Sequence, residues 1–219
     1  DLAITYLERA ISLDPDNAIA HFNLGSALQD KGDHKAAIKS YKNAIKIKPD
    51  YAEAYSNLGN VQRDRGDLDA AIRSFKKALI LDPNCAEIHN NMGNALNEKG
   101  DYEAAIDCFE KAIKIKPDYA EIHNNKGKVQ RKFGDIHAAT ESYKKAIKFK
   151  PDYADAYYNL GNILKDQGTL DEAIEAYKKA VTIMPYFTDA HNNMGVALTN
   201  KGNLIKAIEA FEKAISINP

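Results

Sequence analysis

Proline recurs in this chain at one interval. Pro15, Pro49, Pro83, Pro117, Pro151, Pro185 and Pro219 stand 34 residues apart, and no other proline occurs. The twelve glycines keep the same interval in two series. One is Gly25, Gly59, Gly93, Gly127, Gly161 and Gly195; the other is Gly32, Gly66, Gly100, Gly134, Gly168 and Gly202. A chain punctuated this way builds one small unit repeatedly, and a single 34-residue unit cannot bury an apolar face alone. The expected parts are a half unit over 1–17, then units over 18–51, 52–85, 86–119, 120–153, 154–187 and 188–219.

Within a unit the apolar residues follow helical spacing. Over 52–65, Ala54, Leu58, Val61 and Arg65 share one face, while Glu53, Asn57, Asn60 and Asp64 share another. A second helix follows Gly66, with Ala70, Ala71, Phe75, Ala78, Leu79 and Leu81 on its apolar side. Gly66 is placed for the left-handed residue that closes the first helix, and Asp67 for the N-cap of the second. Asp33, Asp101, Asp135, Thr169 and Asn203 occupy the same place as Asp67. Each proline stops a second helix. The residues after it, Asp50, Asn84, Asp118 and Asp152, are expected to cap the next helix. Glu53, Glu87, Glu121 and Asp155 lie three residues further on, as in a capping box. The fold predicted is all-α, two antiparallel helices per 34 residues.

Composition narrows the function. The 219 residues carry 30 Lys+Arg against 31 Asp+Glu, a net charge of -1, which supplies no global field for nucleic acid or an anionic membrane. A chain 44% hydrophobic and 28% charged is neither disordered nor a membrane protein. It holds no apolar run of about 18 residues and no basic-then-apolar leader. It starts at Asp1 without a methionine, so an excised piece of a longer protein is expected. Cys85 and Cys108 are 23 residues apart and read as reduced thiols, which suggests a cytoplasmic setting. No G-x-S-x-G, P-loop or G-x-G-x-x-G motif occurs, so the segment is expected to be non-catalytic and to need no cofactor. His21, His89, His123 and His191 fall at one place in their units, where Tyr55 and Tyr157 stand in two others. Ligands a whole unit apart do not make a metal site, so these rings are expected to pack at helix interfaces.

Leu24-Gly25, Leu28, Ala37, Tyr41, Ala44 and Pro49 resemble the signature of the tetratricopeptide repeat (TPR). So do Leu58-Gly59, Ala71, Phe75, Ala78 and Pro83, and the later units continue with Phe109, Tyr143, Tyr177 and Phe211 at the aromatic position. The resemblance covers essentially the whole chain and implies a right-handed α-solenoid whose first helices look into a groove. The large aromatic the family has early in the first helix is replaced here by the His/Tyr series.

Two residues before each first glycine stands an asparagine: Asn23, Asn57, Asn91, Asn125, Asn159 and Asn193. Asparagine costs roughly 0.5 kcal/mol against alanine in a helix interior, so six out of six is not helix propensity. Asn60, Asn94 and Asn162 extend the series one turn on, and Asn90, Asn124 and Asn192 precede it. A carboxamide both donates and accepts, so such a row matches the main chain of an extended peptide. It is similar to the asparagine row in the TPR superhelix of O-linked N-acetylglucosamine transferase-type proteins, which implies polypeptide binding. The same residues could instead bond a neighbouring unit, and the two roles are compatible. The expected function is a protein-interaction scaffold with a protein or peptide partner. The alternatives are a substrate-recruiting arm of a larger enzyme such as a glycosyltransferase and an architectural array that self-associates end to end.

In the fourth unit Lys126, Thr140 and Phe133 depart from the pattern, and Lys128, Arg131 and Lys132 share a helix. The last three form a candidate anion-binding spot; the competing reading is ordinary helix charge, with Lys126 snorkelling out of its seam. The carboxylate clamp known in this family is not expected. It requires lysine where Phe22, Ser56, Asn90, Asn124, Tyr158 and Asn192 stand. Residues 1–14 read as a second helix lacking its first, with Ala3, Leu7 and Ala10 on the packing side. At the other end Ile208, Phe211 and Ile215 are expected to stay partly open, so either the ends continue in a longer protein or copies stack end to end, with association that depends on concentration.

Overall fold

The computed structural model describes residues 2–218; Asp1 and Pro219, the outermost residues of the first and last expected segments, lie outside them. The described residues form thirteen α-helices and no strand. They are α1 (Leu2–Leu13), α2 (Ala18–Asp30), α3 (His34–Ile47), α4 (Ala52–Asp64), α5 (Leu68–Leu81), α6 (Ala86–Lys99) and α7 (Tyr102–Ile115), followed by α8 (Ala120–Phe133), α9 (Ile136–Phe149), α10 (Ala154–Asp166), α11 (Leu170–Ile183), α12 (Thr188–Asn200) and α13 (Leu204–Ile217). They group into two compact units, one up to Pro117 and one from Asp118.

The two glycine series do different work. The second series lies at the helix turns with φ between 79° and 95°, a conformation that disfavours any side chain with a Cβ. The first series lies under an aromatic ring. A Cβ on Gly59 would stand 2.7 Å from the Phe75 ring, and one on Gly161 would stand 2.8 Å from Tyr177. Glycine thus lets the ring of the second helix lie directly on the backbone of the first. In the first unit the same ring continues into the next pair, where buried Ala37 and Tyr41 cluster with Leu58 and Val61. In the second, Tyr177 clusters with Ala197, Leu198, Ala207 and Ala210.

Second helices are capped largely as the sequence predicts. Asp33, Asp67, Asp101 and Asp135 accept from the backbone N–H three residues on, and Asn203 does so at 3.5 Å. Thr169 does not: its hydroxyl donates to the Leu164 carbonyl at 3.0 Å, which turns it away from the helix it precedes. The first helices correct the expectation more fully. Their N-cap positions are Tyr51, Cys85, Tyr119 and Tyr153, none with a side-chain cap bond, and Asp50, Asn84, Asp118 and Asp152 lie one residue too early. The N-cap side chain is used for packing instead. Tyr51 meets Phe22 at 5.0 Å between ring centroids, and Phe187 meets Tyr158 at 4.9 Å. Only α2 has a capping side chain among the first helices, with Asn17 accepting from the Ala20 N–H at 2.9 Å.

Within each unit the first helices of neighbouring pairs approach each other: α2 and α4, α4 and α6, α8 and α10, α10 and α12. Among the described residues the backbones of second helices of neighbouring pairs stay more than 8 Å apart between Cα atoms. The first helices therefore lie on the tighter side of each stack, here termed its inner face.

Candidate functional site

The polar stripe of each first helix runs along this inner face. In the first unit it reads Ile19, Asn23, Ser26 and Asp30 on α2; Glu53, Asn57, Asn60 and Asp64 on α4; Glu87, Asn91, Asn94 and Glu98 on α6. Asn23 is exposed, and Asn57, Asn60, Asn91 and Asn94 are half-buried. Asn57 lies beside the Tyr41 hydroxyl of the preceding pair and offsets part of the upward push that burial gives it. That hydroxyl also lies 3.1 Å from Ser26 Oγ and 3.0 Å from Gln29 Oε1. Asn23 and Asn91 make no side-chain hydrogen bond with the described residues.

The second unit ties its asparagines back across the pairs. Asn159 Nδ2 donates to Asn124 Oδ1 at 3.0 Å, and the fully buried Asn124 donates to the Tyr153 hydroxyl at 3.3 Å. Asn193 Nδ2 donates to the Tyr158 hydroxyl at 3.2 Å and to Asn162 Oδ1 at 2.9 Å. Asn162 also accepts from the Tyr177 hydroxyl at 2.7 Å. Burial holds the Tyr153 phenol up at about 12 and raises Tyr177 as well, so both stay neutral hydroxyls. Asn162 is only 6% exposed and belongs to this internal network, unlike its counterparts Asn60 and Asn94. Asn125 is half-buried. The Oδ1 atoms of Asn159 and Asn193 accept none of these bonds and are not among the buried unpartnered atoms, which leaves them open to solvent.

Asn124, Tyr158 and Tyr153 are thus parts of the site that spacing alone did not single out as partners of the row. Their relation to it is a reach of 29 to 35 residues, from one pair to the next.

The bases are largely engaged by acids. Arg131 pairs with Asp166 of the next pair at 2.8 Å, and Arg63 lies 3.0 Å from Asp64 and 3.7 Å from Glu98. Lys165 lies 3.7 Å from Asp166. Lys128 and Lys132 are exposed and Lys126 is half-buried. Of the candidate anion-binding trio, Arg131 therefore already holds a carboxylate. Glu87 lies 3.6 Å from Lys116, and its own backbone N–H, followed by the Cys85 thiol and Lys116, holds its carboxyl below the usual range.

Four of the six histidines make local contacts, three of them polar and one by stacking. His21, His89 and His191 each place Nε2 about 3 Å from a proline carbonyl six residues back (3.1, 3.1 and 3.0 Å), while His123 stacks on Phe149 at 5.3 Å. No three His, Cys, Asp or Glu side chains converge as a metal group among the described residues. No described helix is long and apolar enough to cross a membrane.

Family models described as TPR repeat match residues 1–32, 25–63, 59–98, 93–134, 131–168 and 161–202, and one described as tetratricopeptide repeat matches 188–219. No curated protein sequence matches the chain. Among solved structures, MamA is 34% identical, with 73% of this chain and 94% of that chain covered and a TM-score of 0.67. YrrB, described as a TPR protein with an unusual peptide-binding site, is 30% identical, with 82% and 92% covered and a TM-score of 0.63. The pilF protein of Pseudomonas aeruginosa is 19% identical over 88% of each chain, at a TM-score of 0.79, and shares the fold.

Proposed function

Because the chain belongs to the tetratricopeptide repeat family, whose members are generally non-catalytic interaction scaffolds, we propose that it holds extended peptide along the asparagine row on the inner face of each unit. The row is Asn23, Asn57 and Asn91, with Asn60 and Asn94, in the first unit; in the second it is Asn125, Asn159 and Asn193, with Asn162 orienting Asn193 from behind. The domain parts remain those proposed from the 34-residue period. Free thiols at Cys85 and Cys108 fit a reducing, cytoplasmic setting.

The observation that carries this reading is the orientation of Asn159 and Asn193. Each amide has its nitrogen tied to the preceding pair and its oxygen free. An amide fixed at one end loses little further freedom when it accepts a bond, which favours binding. The matching ligand atom is a donor, and a peptide backbone supplies one N–H per non-proline residue. An extended chain advances about 3.3 Å per residue and packed helices lie about 8–10 Å apart, so each pair spans two to three peptide residues. Several such bonds at about 0.5–1.5 kcal/mol each, less ordering costs, correspond to roughly micromolar affinity.

The test uses a fluorescein-labelled neutral Ser/Thr nonapeptide and the same peptide N-methylated at alternate residues. Binding is followed by anisotropy with wild type and with the Asn23→Ala/Asn91→Ala variant. Neither asparagine makes an internal bond, so the variant should melt no lower than wild type, and slightly higher by helix propensity, while binding several-fold more weakly. N-methylation should have the same effect on wild type. Equal binding of the methylated peptide would defeat the proposal, and an unaltered variant would defeat it for the first unit.

A further inference from the structure

The two inner faces carry different charge, and the difference follows the stripes already described. In the first unit α4 and α6 begin and end their stripes with carboxylates: Glu53 and Asp64, Glu87 and Glu98. α2 ends its stripe with Asp30. Between these ends lie only amides and Ser26. Eleven residues separate Glu53 from Asp64 in sequence, which at 1.5 Å per residue is about 16 Å along the helix. The amide row of the first unit is thus flanked by two acidic banks.

Few cations answer them. Arg63 serves both Asp64 and Glu98, and Lys116 serves Glu87. Lys99 is drawn away to Asp69 at 2.6 Å, and Lys48 lies over the Tyr51 ring at 4.7 Å. Asp30 and Glu53 have no ion-pair partner among the described residues. At the corresponding stripe positions of the second unit, Glu121, Asp155, Asp166 and Asp189 face Lys128 and Lys132, with Arg131 and Lys165 one residue off the stripe, where the first unit has Gln29, Arg63 and Asn97. With that adjoining position counted in both, the second face balances its acids with bases, whereas the five carboxylates of the first face meet Arg63 alone at these positions.

We infer that the inner face of the first unit takes a basic extended peptide, with lysine or arginine on both sides of its backbone. The inference rests on the amide-row reading and adds the partner's chemistry to it. Its physical basis is the alternation of an extended chain. Successive side chains point to opposite sides, so a peptide lying along Asn23, Asn57 and Asn91 directs neighbouring residues alternately toward the Glu53/Glu87 bank and the Asp30/Asp64/Glu98 bank. Basic residues at odd and even positions both find carboxylates, while acidic residues at either meet repulsion. Exposed pairs are individually weak and screened by salt; several acting together select among peptides that the amides alone would hold equally.

The probes are three labelled nonapeptides of equal length: a Lys-Ser peptide of Lys-Lys-Ser repeats, which puts lysine on both sides of the extended backbone, a neutral Ser/Thr peptide, and a Glu-Ser peptide in the same arrangement. They are titrated at low salt into the full chain, into Glu53→Gln/Asp64→Asn/Glu98→Gln, and into the control Asp155→Asn/Asp189→Asn. The substituted carboxylates are solvent-facing, and circular dichroism checks that helicity is unchanged. The Lys-Ser peptide should bind wild type about tenfold more tightly than the neutral one. That preference should shrink with added salt, fall several-fold in the first variant, which leaves only Asp30 and Glu87, and survive in the control. Equal binding of the three peptides overturns the inference, as does a preference undiminished in the first variant. The amide row fails separately, when Asn23→Ala/Asn91→Ala leaves neutral-peptide binding unchanged. Absence of binding by every peptide overturns both.

Discussion

At position 59 one added methyl group would sit 2.7 Å from Phe75 Cε1 and 2.9 Å from Cδ1 and Cζ. Phe75 has no exposed surface and no direction in which to retreat. Gly59→Ala is therefore expected to destabilise the chain by about 1–3 kcal/mol through overpacking. Gly66→Ala acts by another route. Nothing lies within 4 Å of its added Cβ, but φ of +79° costs a side-chain-bearing residue about 1–2 kcal/mol. The routes separate in a Phe75→Leu background: the smaller side chain makes room at Gly59, so the added loss from Gly59→Ala shrinks there, while that from Gly66→Ala stays. Urea titration measures both, and an unchanged Gly59→Ala loss in that background would refute the steric account. Both glycine roles are legible in the sequence because one chemistry recurs at one interval. The asparagines of the site are legible for the same reason. Their bonding is not, since whether Asn159 faces a ligand or Asn124 depends on a side-chain direction 35 residues away.

Helix starts divide along the same line. Asp33, Asp67, Asp101 and Asp135 announce α3, α5, α7 and α9 because a carboxylate before an apolar run has one local use, to accept a free helix N–H. The starts of α4, α6, α8 and α10 are misread by one residue because Tyr51, Cys85, Tyr119 and Tyr153 occupy the N-cap without capping. A nearby Asp or Asn is then the better-looking candidate. Thr169 offers a direct experiment on this point. Its backbone angles, φ -80° and ψ 68°, nearly equal those of the working cap Asp67, at -83° and 69°. An aspartate at 169 should therefore accept from the N–H three residues on, as Asp67 does at 3.2 Å. Thr169→Asp gives up the hydroxyl bond to Leu164, which lies at an exposed site and is worth little. The net expectation is stabilisation of about 0.5 kcal/mol, read as a raised melting temperature. Thr169→Ala gains no cap and should melt no higher than wild type; a Thr169→Asp protein that melts lower than wild type would contradict the assignment.

At the scale of the whole molecule the same packing surface recurs on every second helix, and on α13 most of it is exposed, with Phe211 alone half-buried against the core. Ile38, Tyr41 and Ile45 of α3 pack with Leu58 and Val61 of the next first helix. Their counterparts on α13 are Ile208, Phe211 and Ile215. Ile208 is 57% exposed and Ile215 63%, with Leu204 and Ile205 exposed beside them. Nothing in the described chain covers this face, and water against it is unfavourable by about 25 cal/mol per Å² of apolar surface. We propose that copies of the chain associate through this end. Such a contact engages the face of a single helix, and association itself costs several kcal/mol in lost freedom. The chain should accordingly associate weakly, monomeric at about 1 µM and substantially associated toward about 1 mM. Sedimentation velocity across that range measures it. Ile208→Lys/Ile215→Lys places charge on the face without touching Ala207, Ala210 or Ala214, which anchor α13 to the fold, so the variant should remain folded and monomeric throughout. A wild-type mass that stays monomeric at the upper limit would refute the proposal. Association of the double variant equal to that of wild type would instead place the contact elsewhere, and the exposed face of α13 would then have no part in it.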